Sequence, residues 1–108
     1  MTKSSLLEVI GDSPRARVLD FLLMGVGFDY SKTQVAREAG VSRVTIDAIW
    51  RELEKQGFIK QTRSIANARL YALNTQNPQV KALAQLEMAL AKAKTEKALE
   101  RQAVNARA

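Results

Sequence analysis

The stretch "AREAGVSRVTIDAIW", residues 36–50, constrains this chain more than any other. Apolar residues recur at three- and four-residue steps on both sides of Gly40, which predicts two helices joined by three or four residues. Ser42 stands one residue after Val41, where its hydroxyl can cap the second helix. That helix should run to about Gln56, with Gly57 at the position where a left-handed stop is favoured. Ile46, Ile49, Trp50 and Leu53 fall on one stripe and are read as buried, Trp50 included. The opposite side is unusual for a helix start. Arg43, Val44, Thr45, Asp47 and Ala48 lie on or near it, so the helix opens with small groups and a cation.

The segments around this pair carry equally plain punctuation. Ser31 and Gln34 form an S-x-x-Q capping box ahead of the first helix of the pair, with Val35, Ala36 and Ala39 on its apolar side. Upstream, Ser13 followed by Pro14 starts a buried helix containing Val18, Leu19, Phe21, Leu22 and Leu23, which ends near Gly25 and Gly27. Leu6, Leu7, Val9 and Ile10 predict a short helix before it, stopped at Gly11. Downstream of Gly57 the period changes from 3.6 to 2. "FIKQTRS" and "ARLYALN" alternate around "IAN", predicting a hairpin. Phe58, Ile59, Leu70 and either Leu73 or Tyr71 should face the helices, while Lys60, Arg63 and Arg69 project outward. Asn77 and Pro78 repeat the cap-then-proline signature and open a helix of good formers reaching about Gln102. The expected fold is mainly α with a small β-hairpin, an α+β arrangement. A domain over residues 1–75 should be followed by a helical arm over 76–108.

Composition narrows the chemistry. At 108 residues the chain suits one domain with an added arm, and a hydrophobic fraction of 46% suffices for a small core. It has no cysteine and no histidine, which removes disulfides, thiolate nucleophiles, zinc fingers and most transition-metal sites. No metal or cofactor is expected. The N-terminus has no basic segment leading into an apolar run, and no stretch approaches the apolar length of a membrane span, so a cytoplasmic, nucleoid-associated protein without a membrane partner is expected. The net charge is +6, and it is unevenly placed. Residues 1–30 hold 3 basic and 4 acidic groups, residues 31–74 hold 8 and 4, and residues 75–108 hold 6 and 3. A basic excess over the helix pair and hairpin suits a polyanion.

Two helices joined by a Gly-containing turn, the second entered through Ser-Arg-x-Thr, form the arrangement of a DNA-reading helix-turn-helix. A helix entering the major groove offers the side chains of its first turns to base edges, and its free N–H groups favour a phosphate. The run from Ser31 to Leu73 resembles the winged helix-turn-helix core of MarR- and ArsR-like regulators. "AGVS", "SRVTI", "LEKQGFI" and the hairpin look like that family's turn, helix entry, helix exit and wing, and "EVIGDSPRARVLDFLL" looks like the ArsR-like opening. The resemblance implies groove-facing positions at Ser42, Arg43, Thr45 and Ala48, and a wing carrying Arg63 and Arg69 to the backbone or minor groove. Asp47, where such helices often carry a neutral group, must accept from cytosine N4 or pair with Arg43 or Arg51. The full candidate set for double-stranded DNA is Lys32, Ser42, Arg43, Thr45, Asp47, Ala48, Arg51, Lys60, Arg63 and Arg69. Arg15 and Arg17 are read as solvated surface. The Cys and His clusters of metal-sensing relatives are absent, so metal sensing is not carried over.

The last helix needs a partner for its apolar stripe. Val80, Leu83, Leu86 and Leu90 are spaced as a seam that a second subunit would cover, with packing back onto its own domain as the alternative. These features together predict a homodimeric, sequence-specific DNA-binding transcriptional regulator. The rival is a winged-helix assembly module of a plasmid partition or transcription complex, with non-specific DNA binding alone. An enzyme is not expected, since the acidic residues are scattered and no phosphate-cradling glycine loop exists.

Overall fold

The computed structural model describes residues 4–107, so the outermost ends of the expected divisions 1–75 and 76–108 lie outside the described residues. Helices α1 (Ser5–Ile10) and α2 (Pro14–Met24) are followed by strand β1 (Tyr30–Ser31), helices α3 (Lys32–Ala39) and α4 (Arg43–Lys55), strands β2 (Ile59–Ile65) and β3 (Ala68–Leu73), and helix α5 (Pro78–Arg107). Helices α2 to α5 begin as the sequence marks them, and α1 begins at a cap, Ser4, that the sequence reading does not name. Ser4, Ser13, Ser31 and Ser42 accept the backbone N–H three residues on at 3.1–3.2 Å, and the Asn77 side chain accepts that of Gln79 at 2.8 Å. Pro14 occupies the first turn of α2.

The stops are equally local. At the end of α3 the N–H of Val41 reaches Ala36 O at 2.8 Å and that of Gly40 reaches Arg37 O at 3.3 Å, with Gly40 left-handed at φ 68°. Phe58 and Gly57 close α4 the same way on Leu53 and Glu54. Both are Schellman stops with an apolar residue following the glycine. Val41 is itself buried and pins the turn to the core.

The core is formed by Leu6 of α1, Val18, Leu22 and Leu23 of α2, Val35 of α3 and the inner stripe of α4, closed below by Ile59, Tyr71 and Leu73. Trp50 is 4% exposed and meets the Tyr71 ring edge-on at 5.3 Å, as its predicted core position requires. Tyr71 and Leu73, two apart on β3, both face inward, as the strand period demands. A third strand, which the sequence does not announce, completes the sheet. β1 pairs antiparallel with β3 through Tyr30–Tyr71 and Ser31–Leu70, giving the order β1-β3-β2. Two residues are too few to show alternation.

Helix α5 differs most from expectation. Val80 is 1% exposed and belongs to the domain core, which corrects its place in an intersubunit seam. Leu83 and Leu90 are half-buried and pack on the same core, and Lys94 reaches back to Glu8 of α1 at 3.0 Å. Of the four seam residues only Leu86 stands open, at 40%. Thirty residues make α5 about 45 Å long. From Ala91 to Val104 every side chain is exposed. The domain therefore uses the inner face of the first half of α5, and the second half projects from it.

Candidate nucleic-acid interface

The outward side of α4 is set by its inner stripe. With Ile46, Ile49, Trp50 and Leu53 buried, a turn of 100° per residue places Val44, Ala48, Arg51 and Lys55 along the opposite line. All four are exposed, Val44 at 82%. Lys55 was not among the sequence candidates. Its spacing of four from Arg51 was the available signal.

Ser42 and Thr45 occupy the head of this helix, and their hydroxyls are bonded to each other at 2.9 Å. Thr45 is half-buried, so it offers less of itself than Arg43 and Val44 beside it, which are exposed. The free N–H groups of the first turn point the same way, leaving a positive end between exposed side chains.

Asp47 is corrected in its partner. It pairs with neither Arg43 nor Arg51 but with Lys32, the first residue of α3, at 2.7 Å. This hydrogen-bonded ammonium, with Arg43 and Arg51 acting at longer range, holds the Asp47 carboxyl below its ordinary value. One carboxylate thus sits among three cations and ties the heads of α3 and α4 together.

Two further arginines secure the helix pair from behind. Arg17 of α2 donates through Nε to Ala39 O at 2.9 Å and through Nη2 to Gly40 O at 3.2 Å, while its Nη1 meets Asp12 at 2.8 Å. A cation on the terminal carbonyls of α3 complements that helix end. Arg15 forms an ion pair with Glu52 of α4. Arg15 stays exposed, as expected, whereas Arg17 is half-buried and ties the turn of the helix pair to α2.

On the wing, Lys60, Arg63 and Arg69 are exposed along β2 and β3 as expected. Arg63 is also held by Asp29, a residue of the α2–β1 loop that sequence reasoning missed. Nε lies 2.8 Å and Nη2 3.2 Å from its two carboxylate oxygens. Arg63 lowers the Asp29 pKa and its own is raised in turn. The hairpin tip turns at Ala66, left-handed at φ 54°, and exposes Ile65. Between this tip and the start of α3 lies a cavity of about 700 Å³, lined by Ser31, Lys32, Thr33, Trp50, Arg69 and Tyr71 among others. The head of α3 and the wing tip therefore face each other across open space.

Among the described residues no helix is long and apolar enough to cross a membrane. No family model and no curated protein matches this sequence. Solved structures do match it by fold. NadR bound to 4-hydroxyphenylacetate superposes with a TM-score of 0.62 at 17% identity, over 93% of this chain and 71% of that one. A MarR family regulator from Neisseria meningitidis gives 0.59 at 18%, over 82% and 60%. The zinc-responsive MarR family member ZitR from Lactococcus lactis gives 0.56 at 18%, over 82% and 58%. The chain thus spans less than two thirds of the last two proteins. At these identities the likeness is one of architecture: this chain has the winged helix-turn-helix fold seen in MarR family regulators.

Proposed function

We propose that this protein is a sequence-specific double-stranded DNA-binding protein acting as a homodimeric transcriptional regulator in the cytoplasm. The observation that carries the reading is the outer line of α4. A helix held rigidly on one side, with Val44, Ala48, Arg51 and Lys55 open on the other and Arg43 at its head, matches what the major groove requires. Arg43 is suited to a guanine edge, and Val44 and Ala48 to the methyl of thymine. Arg51, Lys55, Lys60 and Arg69 surround this line with cations for phosphate, Lys32 being balanced by Asp47, and Ser42 and Thr45 add compact hydroxyls.

Dimerisation goes to the exposed surface of α5. Leu86 and Met88 are its exposed large apolar residues in the half that packs on the domain, and Leu99 and Val104 follow in the projecting half. An isolated stretch of helix is marginal in water, which favours a covering partner. A two-fold pair would set two reading helices in successive major grooves.

Selection from a random duplex pool, followed by titration against salt, tests the reading. Six neutralised phosphates give a log–log slope of about −5. An enriched palindrome with such a slope is expected, and Arg43→Ala should relax the preference by about 1–3 kcal/mol, whereas Arg69→Ala should weaken all sequences evenly. No enrichment and a slope near zero would sink it.

A further inference from the structure

The ladder between β2 and β3 slips once. Gln61 opposes Tyr71 and Arg63 opposes Leu70, which leaves Thr62 as an extra residue on β2. In a regular strand Thr62 and Arg63 would point to opposite faces; a bulge can turn neighbours to the same side. Here both reach one carboxylate. The Thr62 hydroxyl donates to Asp29 Oδ2 at 2.8 Å, and the Arg63 guanidinium spans both oxygens at 2.8 and 3.2 Å.

Asp29 directly precedes β1, and β1 ends in Ser31, the cap of α3. The carboxylate therefore joins the bulge of the wing to the segment that starts the helix pair. Ile59, Tyr71 and Leu73 seat the base of the hairpin in the core, whereas β2 is exposed from Lys60 on, and it is this outer part that the link ties to the helices. Asp29 is 20% exposed and Arg63 60%, an arrangement in which the acid is sheltered and the arginine lies over it. With its charge balanced, Arg63 is a poor source of counterion release.

We propose that Asp29 is a positioning residue: the Asp29–Thr62–Arg63 clamp sets the pitch of the wing relative to α4, and Arg63 acts through the clamp and not as a phosphate ligand. The proposal rests on the DNA-binding reading above. Without the clamp the wing samples several pitches, and apparent affinity falls by the fraction of time spent in the binding pose; a pose held one tenth of the time costs about tenfold.

The test uses the full chain and a selected duplex. Wild type, Asp29→Ala, Arg63→Ala, the double variant and the exchanged pair Asp29→Arg/Arg63→Asp are titrated at several salt concentrations, with thermal melts alongside. Each single variant should bind about tenfold more weakly with an unchanged salt slope, the double variant should be no worse than either, and the exchanged pair should recover most of the loss. Arg63→Ala losing about one unit of slope while Asp29→Ala binds as wild type would make Arg63 a direct phosphate contact and overturn the proposal. Variants that melt earlier yet bind like wild type would reduce the clamp to a structural tie, which also overturns it. If a single variant fails to fold, failure of the exchanged pair to bind while folded counts equally against it. A wild type that binds no duplex marks the separate failure of the DNA reading, and the clamp's role falls with it.

Discussion

Ending the chain at Asn77 should destabilise the domain itself, not merely separate two subunits. The cut removes Val80, which is 1% exposed, and Leu83 and Leu90, which are half-buried against the same core. Complete burial of such a side chain contributes about 1.5–3 kcal/mol. One full and two half contributions come to about 4 kcal/mol. Helix α1 would also lose the α5 surface on which it packs, together with the Lys94–Glu8 bridge. Since small domains hold a net stability of about 5–15 kcal/mol, the truncated chain would keep little margin. At roughly 4–8 °C per kcal/mol, the midpoint should drop by about 15–30 °C. A chain ending at Thr95 retains all of these contacts and, at a concentration where full length is itself monomeric, should melt within about 5 °C of it. Thermal and urea melts followed by circular dichroism on the three proteins decide the matter. If the chain ending at Asn77 melts within about 5 °C of the intact protein, the assignment of Val80, Leu83 and Leu90 to the core is wrong.

Arg17→Ala frees the carbonyls of Ala39 and Gly40 at the turn between α3 and α4 and should cost about 1–2 kcal/mol in a urea melt; an unchanged midpoint would show that the turn holds itself. Ala66→Gly relieves a left-handed alanine at φ 54° at the hairpin tip. The left-handed penalty of about 1–2 kcal/mol is offset in part by the greater chain freedom of glycine, so a net gain of about 0.5 kcal/mol is expected. Glu87 on α5 has its pKa raised, first by burial and then by Asp20. A carboxyl raised on folding binds more protons in the native state, so its contribution to stability falls as pH rises from its ordinary value through the raised one. Glu87→Gln should accordingly raise the midpoint at pH 7 and leave it unchanged near pH 3; an equal shift at both pH values would exclude titration as the cause.

The helices of this fold are legible because their signals are local. Ser13, Ser31, Ser42 and Asn77 act within three residues, and Gly40 and Gly57 within five, so reading the chain in order finds them. The hairpin is legible for the same reason, since a change of period needs no knowledge of the remainder. Asp29 is different. Its partner Arg63 is 34 positions away, and what brings them together is a bulge at Thr62 that leaves no mark on an alternating pattern. Arg17 reads as solvated because a charge on a helix says nothing of which neighbouring helix end it meets.

Helix α5 makes the same point through geometry. Leu83 and Leu86 are three residues apart, so they stand 60° from each other around the helix axis. That is near enough to read as one stripe in a sequence, yet one side chain packs on the core and the other stands in solvent. Periodicity reports that an apolar face exists; it does not report what covers it. The cover was decided by Leu6 and Leu22, whose buried positions on α1 and α2 make the surface that Val80 and its neighbours complete. A seam read from spacing alone should therefore be divided before a partner is assigned to it. Here the division leaves Leu86, Met88, Leu99 and Val104 as the residues from which an intact dimer would draw its contact.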